Sequence, residues 1–360
     1  SLFLNHYLIE GTIKNDDQKL KVSYFGNDTR ILNYWAGQLF DDDVKQKHLG
    51  KAAVWKLNGR MQPNHSAELR LTELSRLSKK LVMPKKGFVL PRWFETIIDV
   101  DNTLEAINNN DTHKHIKKHG FIFDQRFSEE DLYFFYNHMF KPYILNRHKS
   151  SSVMYDYSFF KKRFGKKGSA LFFLLKEGEP IAGSFNAMDR GMIKFSGLGI
   201  LDGSMEIVRM GTIRALYYFM LKHYSENSIR QIRFGGTSPL LSDGLTQFKI
   251  SMRAFPDKHT LFAETSIWLT PVEDNDALRK ILNDNPFIFI KKNQIFRALF
   301  LYPNVLETKK QFNKLLKRTN YRKINGTLLY CLDPDTKKIE RWIAEDNRKD
   351  CLIEKFEITD

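Results

Sequence analysis

The chain has 360 residues, 42% of them hydrophobic and 13% aromatic, with a net charge of +15. That composition excludes a disordered polymer and allows two or three domains with cores of their own. Two cysteines, Cys331 and Cys351, stand in no CxxC spacing, which excludes a disulfide framework and a zinc knuckle. No apolar run reaches the length of a membrane span, and the start Ser1-Leu-Phe-Leu-Asn-His6 has no basic region followed by an apolar one. The expected compartment is therefore the cytoplasm. With no Gly-x-Ser-x-Gly elbow, P-loop or kinase signature, hydrolase and NTPase classes fall away.

In chain order, residues 1–110 read as a first α/β region. Leu20 to Phe25 and Ala52 to Leu57 are alternating or apolar stretches, Ala67 to Leu81 reads as a helix, and Pro84-Lys-Lys-Gly87 breaks the pattern. Asp101 to Glu105 opens a helix, and Asn108-Asn-Asn-Asp111 ends it.

Residues 111–256 form the middle region and have the clearest periodicity. Ser128-Glu-Glu-Asp131 resembles a capping box and starts a helix over 129–140, with Leu132, Phe135, Tyr136, Met139 and Phe140 on its apolar face. Ser169 to Lys176 reads as a buried strand, Glu177-Gly-Glu-Pro180 as a turn, Ile181 to Met188 as the hairpin partner, and Met192 to Ile200 as a third strand. After Leu201-Asp-Gly203 a long apolar helix is expected from Ile207 to His223, then a strand from Ile229 to Phe234. Pattern alone defines a mixed α/β fold.

The strand ends on Gly235-Gly236, where missing side chains let a ligand approach the backbone, so Gly236 and nearby Ser238 are substrate-binding candidates. Ser238-Pro239 and Ser242-Asp243-Gly244 have turn chemistry, and Lys249 follows Leu245 and Phe248. Lys249 is the leading catalytic candidate, Asp243 a group to orient an amine, and Tyr217, beside Tyr218, a general acid. The guanidinium fork of Arg147, with His148, suits a substrate carboxylate or phosphate. His115 and His119 share a helical face but lack a third ligand at coordinating spacing, so no metal site is expected.

Residues 257–360 form a C-terminal region. Between Pro286 and Lys323 ten basic residues face the single acid Glu307, supplying nine of the fifteen net charges. Apolar residues from Phe287 to Leu301 interleave with them. The stretch reads either as a helical pair packed on the domain with its lysines in water, or as a surface for nucleic acid or an anionic membrane.

The run Gly244-Leu-Thr-Gln-Phe-Lys249 resembles the Gly-Leu-x-x-Phe-Lys segment of the Fem family of peptidoglycan aminoacyltransferases and of FemAB-like (BioF2-like) acetyltransferase domains. The resemblance extends back through Ser196 to Ile200, Arg147-His148, Lys114 to Gly120 and Leu90-Pro-Arg-Trp93, covering residues 90–256. It implies a GNAT (Gcn5-related N-acetyltransferase) fold in the middle region, a twinned arrangement with residues 1–110 as a divergent first half, and charge stabilisation by Lys249 during amide formation. It also implies that the donor's phosphates lie at the start of the long helix, making Leu198, Gly199, Arg209, Met210, Gly211 and Thr212 cofactor-binding candidates. The expected donor is acyl-CoA or aminoacyl-tRNA, with an acyl carrier protein as a further candidate and no tightly bound cofactor. The acceptor is an amine on a cell-wall precursor, amino sugar, lipid or peptide, and tRNA and an anionic membrane surface are expected partners. Three departures stand out: Val208 and Ile213 where the CoA signature has Gln or Arg and a small residue, and Met252-Arg253 where Fem sequences have an aromatic residue and glycine.

Overall fold

The computed structural model describes residues 2–58, 67–82, 87–108, 111–148, 154–262, 265–301, 308–332 and 336–356. The chain opens with β1 (Phe3–Thr12), β2 (Lys19–Gly26), α1 (Thr29–Leu39), β3 (Lys45–Ala53) and a 3-10 turn (Val54–Asn58). Next come β4 (Leu69–Ser75), α2 (Arg76–Val82), β5 (Phe88–Pro91), β6 (Phe94–Asp99), α3 (Val100–Asn108) and α4 (Thr112–His119). β7 (Ile122–Arg126) and α5 (Glu129–Phe134) lead through a π-helical turn (Phe135–Phe140) into α6 (Lys141–His148) and α7 (Tyr157–Lys161). Three strands follow, β8 (Ala170–Lys176), β9 (Glu179–Asp189) and β10 (Met192–Ile200), then α8 (Met205–Arg209), α9 (Thr212–Glu226), β11 (Gln231–Thr237) and α10 (Gly244–Ser251). β12 (Phe255–Pro256), α11 (Lys258–Leu261), β13 (Thr265–Pro271), α12 (Asp276–Asp284), β14 (Phe287–Lys291), β15 (Gln294–Leu301), α13 (Lys309–Arg318), β16 (Gly326–Cys331), α14 (Lys337–Glu345) and β17 (Cys351–Glu354) complete it.

These elements divide into two compact units, the first made of residues 1–94, 237–250 and 256–360, the second of 95–236 and 251–255. The first unit is built on a ten-stranded sheet, ordered β17-β16-β15-β14-β5-β13-β4-β2-β1-β3. The regions read from sequence as separate N- and C-terminal parts are thus joined, because β13 lies between β4 and β5 and β14 pairs with β5. One apolar core runs under both, with Leu71, Leu90, Ile267, Leu269, Phe289 and Phe300 among its buried members.

Two further expectations change in this unit. The segment 69–75 is a strand rather than the start of a helix, because its apolar side chains are buried within the sheet, and only Arg76–Val82 turns helical. The basic stretch 286–323 is two strands and a helix. Its apolar residues Phe287, Ile288, Phe289, Ile295, Leu299 and Phe300 are buried in cores, so they offer no apolar face to a membrane. Arg297 is also buried, donating to Thr327 Oγ1 at 2.5 Å, Leu316 O at 2.7 Å and Thr319 Oγ1 at 3.1 Å. Desolvation brings its guanidinium down to about 10. Lys291 pairs with Glu354 at 2.5 Å, and Lys309 with Glu345 and Asp346 at 2.8 and 2.7 Å, so acids elsewhere neutralise part of the counted charge.

The second unit takes most of the region read as 111–256 and begins earlier, at residue 95, while residues 237–250, with Ser238, Asp243 and Lys249, belong to the first unit. Strands β7, β8, β9 and β10 form an antiparallel meander, and the buried apolar run Leu171 to Leu174 places β8 inside it. β10 bulges at Ser196, between Phe195 and Gly197. β11 then returns parallel to β10, registering at one pair, Lys194 with Arg233. Four antiparallel strands, a helix and a fifth strand parallel to the fourth and barely laddered to it are the topology of a GNAT core, and the second unit has that fold. The expected strands appear as β8, β9 and β10, and the Ser128 hydroxyl caps α5 by accepting from Asp131 N–H at 3.0 Å. The expected helix over 129–140 continues through the π turn to His148.

Candidate active-site elements

In the second unit, the helix expected from Ile207 to His223 is broken into α8 and α9. Gly211 sits at the break with φ +80°, a left-handed conformation that costs a residue with a Cβ energy, and a Cβ there would stand 3.0 Å from the His115 ring. Met210 N–H and Gly211 N–H already bond to the carbonyls of Ile207 and Val208, at 3.2 and 3.1 Å. Thr212 is buried and its hydroxyl donates to Ile207 O. The donors left at the start of α9 are therefore the first-turn N–H groups of Thr212, Ile213 and Arg214, which a helix cannot satisfy internally. These first-turn donors overlap the 209–212 stretch read from sequence at Thr212 and extend two residues beyond it. Arg209 is exposed at the end of α8, beside the break.

Leu198 is half-buried and Gly199 buried on β10. The absent side chain of Gly199 has a packing cause: a Cβ would stand 2.5 Å from Phe140 N, where the π-helical turn crosses the strand. Tyr217 is buried against Phe195 and Phe234, with ring centroids at 5.4 and 5.2 Å. Burial pushes its hydroxyl well above the ordinary phenol range, Tyr143 adds to the rise and Arg147 opposes it. It is protonated at neutral pH and keeps a hydrogen to donate. Arg147 stacks over Tyr143, its guanidinium carbon 5.6 Å from the ring centroid, and donates to the Tyr143 hydroxyl. Of His148 only the backbone is described, at the end of α6. His115 and His119 stack with centroids 6.2 Å apart, and no group of three His, Cys, Asp or Glu suits a metal among the described residues. Gly236 is exposed at the end of β11.

Ser238, Asp243 and Lys249 belong to the first unit, and there the structure brings Ser238 and Asp243 together. Residues 239–241 are tied to the strand β14 region: Leu241 N–H donates to Pro286 O at 2.7 Å and Ile288 N–H to Pro239 O at 2.9 Å. Ser238 is fully buried, and its hydroxyl accepts from Leu240 N–H at 3.0 Å and from the Tyr34 phenol. Asp243 caps α10, accepting from Thr246 N–H at 3.0 Å, while its second oxygen lies 3.4 Å from Tyr34 Oη. Thr246 completes the network with Thr237 Oγ1 at 2.8 Å and Ser238 O at 3.2 Å. Lys249, 3% exposed on the last turn of α10, is a buried lysine rather than a solvated surface one.

Three aromatic residues of this unit join the candidate site, two of them missed by sequence reasoning. Tyr34 reaches the cluster from α1, and burial, reinforced by the Asp243 charge, holds its phenol protonated. Tyr321, 1% exposed, is pushed up by burial first, with Thr237 opposing and Asp243 reinforcing the rise. Trp93, 40% exposed, packs on Tyr34 with centroids 5.0 Å apart. Trp93 lay in a segment singled out by resemblance; Tyr34 and Tyr321 had no local signal.

No family model and no curated protein matches the chain. Among solved structures it is similar to FemX, at 12% identity and TM-score 0.38, over 72% of this chain and 83% of that one. It is also similar to the C-terminal domain of a protein assigned as lysylphosphatidylglycerol synthetase from Agrobacterium fabrum (9% identity, TM-score 0.36, 77% of this chain and 84% of that one). A GCN5-related N-acetyltransferase from Anabaena variabilis matches at 9% identity and TM-score 0.31, over 80% of this chain and 62% of that one.

Proposed function

We propose that the protein is a GNAT-type acyl- or aminoacyltransferase that forms an amide by direct transfer to an amine acceptor. One observation carries the reading: in the second unit a bulged β10 meets β11 at a single registered pair, and the helix between them begins at a left-handed glycine with three N–H donors unused by the helix. Such a helix start is an anion site, suited to the pyrophosphate of an acyl-CoA or the phosphates of an aminoacyl-tRNA end.

Direct transfer needs no covalent enzyme intermediate. The acceptor nitrogen attacks the donor carbonyl carbon and the carbonyl oxygen gains negative charge; the carbonyl then re-forms as the C–S bond to the thiol or the C–O bond to the ribose breaks, and the proton lost by the nitrogen ends on that leaving group. The resemblance of Gly244 to Lys249 to the Fem segment assigns Lys249 to the developing oxyanion, a role suited to a positioned cation. Asp243, already engaged as the cap of α10, orients that helix rather than acting as the base. Tyr217 supports donor-side packing, and Arg147 and His148 hold an anionic part of a substrate. Acyl-CoA and aminoacyl-tRNA remain the two donor classes, and Val208 and Ile213 weigh against the CoA signature.

The test is amide hydrogen exchange during titration with CoA and, separately, with tRNA, each at two salt concentrations. A true donor protects the amides of Thr212, Ile213 and Arg214, and for tRNA the affinity falls with salt while still exceeding that for a generic polyanion. If neither donor protects the first turn of α9, the reading fails.

A further inference from the structure

Among the described residues of the first unit, five large apolar side chains left in solvent lie in neighbouring segments, while Trp93, Leu245, Phe262, Val272 and Leu352 are exposed in other ones. Leu2, Phe3, Trp55, Leu77 and Leu81 are 37, 53, 49, 58 and 45% exposed. Chain pairing and packing gather them. Phe3 pairs with Ala53 across β1 and β3, Val54 N–H donates to Leu2 O at 3.0 Å, and Phe3 meets Trp55 edge to face with centroids 5.5 Å apart. The 3-10 turn bearing Trp55 packs against α2. On α2, Leu77 and Leu81 are one turn apart and share a stripe, while Ser78 and Val82, the adjacent stripe, are the buried pair. A helix that turns two leucines outward beside an exposed Trp and Phe holds more apolar surface in water than isolated exposure explains.

The two segments that carry Trp55, Leu77 and Leu81 have charge of one sign, and the nearest acid the contacts show is Glu73, which accepts from Asn27 N–H at 3.0 Å while Asn27 donates to Phe3 O at 3.0 Å. Residues 45–58 and 76–82 contain no Asp or Glu, and Lys51, Lys56, Arg76 and Lys80 are exposed within them. Arg76 and Lys80 share the stripe of α2 next to Leu77 and Leu81 on the side away from the buried pair. Trp and Phe flanked by Lys and Arg, with leucines projecting, match the layering of a bilayer interface: amphipathic rings and apolar tips at the acyl boundary, cations among the headgroups.

We propose that this surface seats the protein on an anionic lipid bilayer. The occupant follows from charge complementarity: an apolar patch whose own segments expose Lys51, Lys56, Arg76 and Lys80 and carry no acid fits lipid phosphates over a neutral or cationic protein surface. Seating is peripheral and shallow, since no helix of the described residues is long and apolar enough to cross a membrane. The surface is distinct from the 286–323 stretch, whose apolar residues are buried.

The test uses the full chain with vesicles of equal parts phosphatidylglycerol and phosphatidylcholine, and of phosphatidylcholine alone. Wild type is expected to co-float with the anionic vesicles and to bind the neutral ones at least ~10-fold more weakly, each cation contributing about fivefold. The exposed-site variant Leu77→Ser/Leu81→Ser, with unchanged thermal unfolding, is expected to lose about tenfold or more in anionic-vesicle binding. Brominated acyl chains should quench part of the wild-type tryptophan emission, and that quenched part should vanish in Trp55→Phe while binding persists. The proposal is overturned if wild type does not bind anionic vesicles, if the leucine variant binds as wild type does, if bromolipid quenching survives Trp55→Phe, or if Lys310→Glu/Lys314→Glu abolishes binding that the leucine variant retains.

Discussion

Tyr34 donates its phenol hydrogen to the hydroxyl of Ser238, 204 positions further along the chain, and lies 3.4 Å from the carboxylate of Asp243. That contact fixes the loop ahead of α10 from outside it. Tyr34→Phe removes the donor and leaves the ring in place against Trp93. The expected cost is about 1–2 kcal/mol in denaturant unfolding, the range for a buried hydrogen bond lost on one side. An unchanged midpoint would show that the loop holds its geometry without Tyr34.

Asp243 separates two roles that share one side chain. As the cap of α10, its replacement by Ala is expected to lower stability by about 1 kcal/mol, and replacement by Asn by much less. A transfer rate that Asn preserves and Ala lowers fits the capping role assigned above. A rate lost equally in Asp243→Asn, with stability intact, would instead make the carboxylate a base.

Gly211 holds the break between α8 and α9. Gly211→Ala forces a Cβ into a left-handed backbone and against His115, at an expected cost of about 1–2 kcal/mol. Donor binding should weaken as well, because the first-turn amides of α9 shift with the break. Calorimetric titration of the variant with CoA checks the second effect separately from thermal unfolding.

Glu95 in the second unit accepts from Lys194 at 2.5 Å and Arg233 at 3.3 Å. Burial alone would raise its carboxyl, but the hydrogen bond and charge of Lys194, then Arg233, outweigh it and hold the group below its ordinary value of 4.5. A depressed folded-state value contributes stability above the unfolded value, lost as pH falls through the folded one. Wild type should therefore lose stability from about pH 4.5 downward more steeply than Glu95→Gln. Parallel acid limbs for the two proteins would rule the cluster out as a contributor.

Much of the second unit was legible because its signals are local. Phe172 to Leu175, Glu177-Gly-Glu-Pro180 and Ser128 to Asp131 each announce their own element within a few residues. The break at Gly211 was hidden, since the apolar residues of α8 and α9 continue one pattern across it and only the left-handed backbone interrupts them. The strand 69–75 was misread for the same reason: Leu69, Leu71, Leu74, Leu77 and Leu81 mimic one helical face across a strand-to-helix change. Phe287 to Leu301 gave apolar runs too short to tell strand from helix. At the candidate site, Asp243 and Lys249 could be singled out locally. Tyr34 and Tyr321 could not, because long-range strand pairing rather than sequence neighbourhood brings them to the same unit.

The role of Lys249 is tested most directly by single-turnover transfer, with labelled acetyl-CoA and labelled alanyl-tRNA as donors and glucosamine, a lysine peptide and phosphatidylethanolamine as acceptors. Wild type should form amide from one of the two donors. Lys249→Met, checked for matched thermal stability, should slow that step by about a hundredfold or more, the loss typical of a missing oxyanion partner. A Lys249→Met rate within about twofold of wild type, or no amide from either donor with wild type, would contradict the assignment.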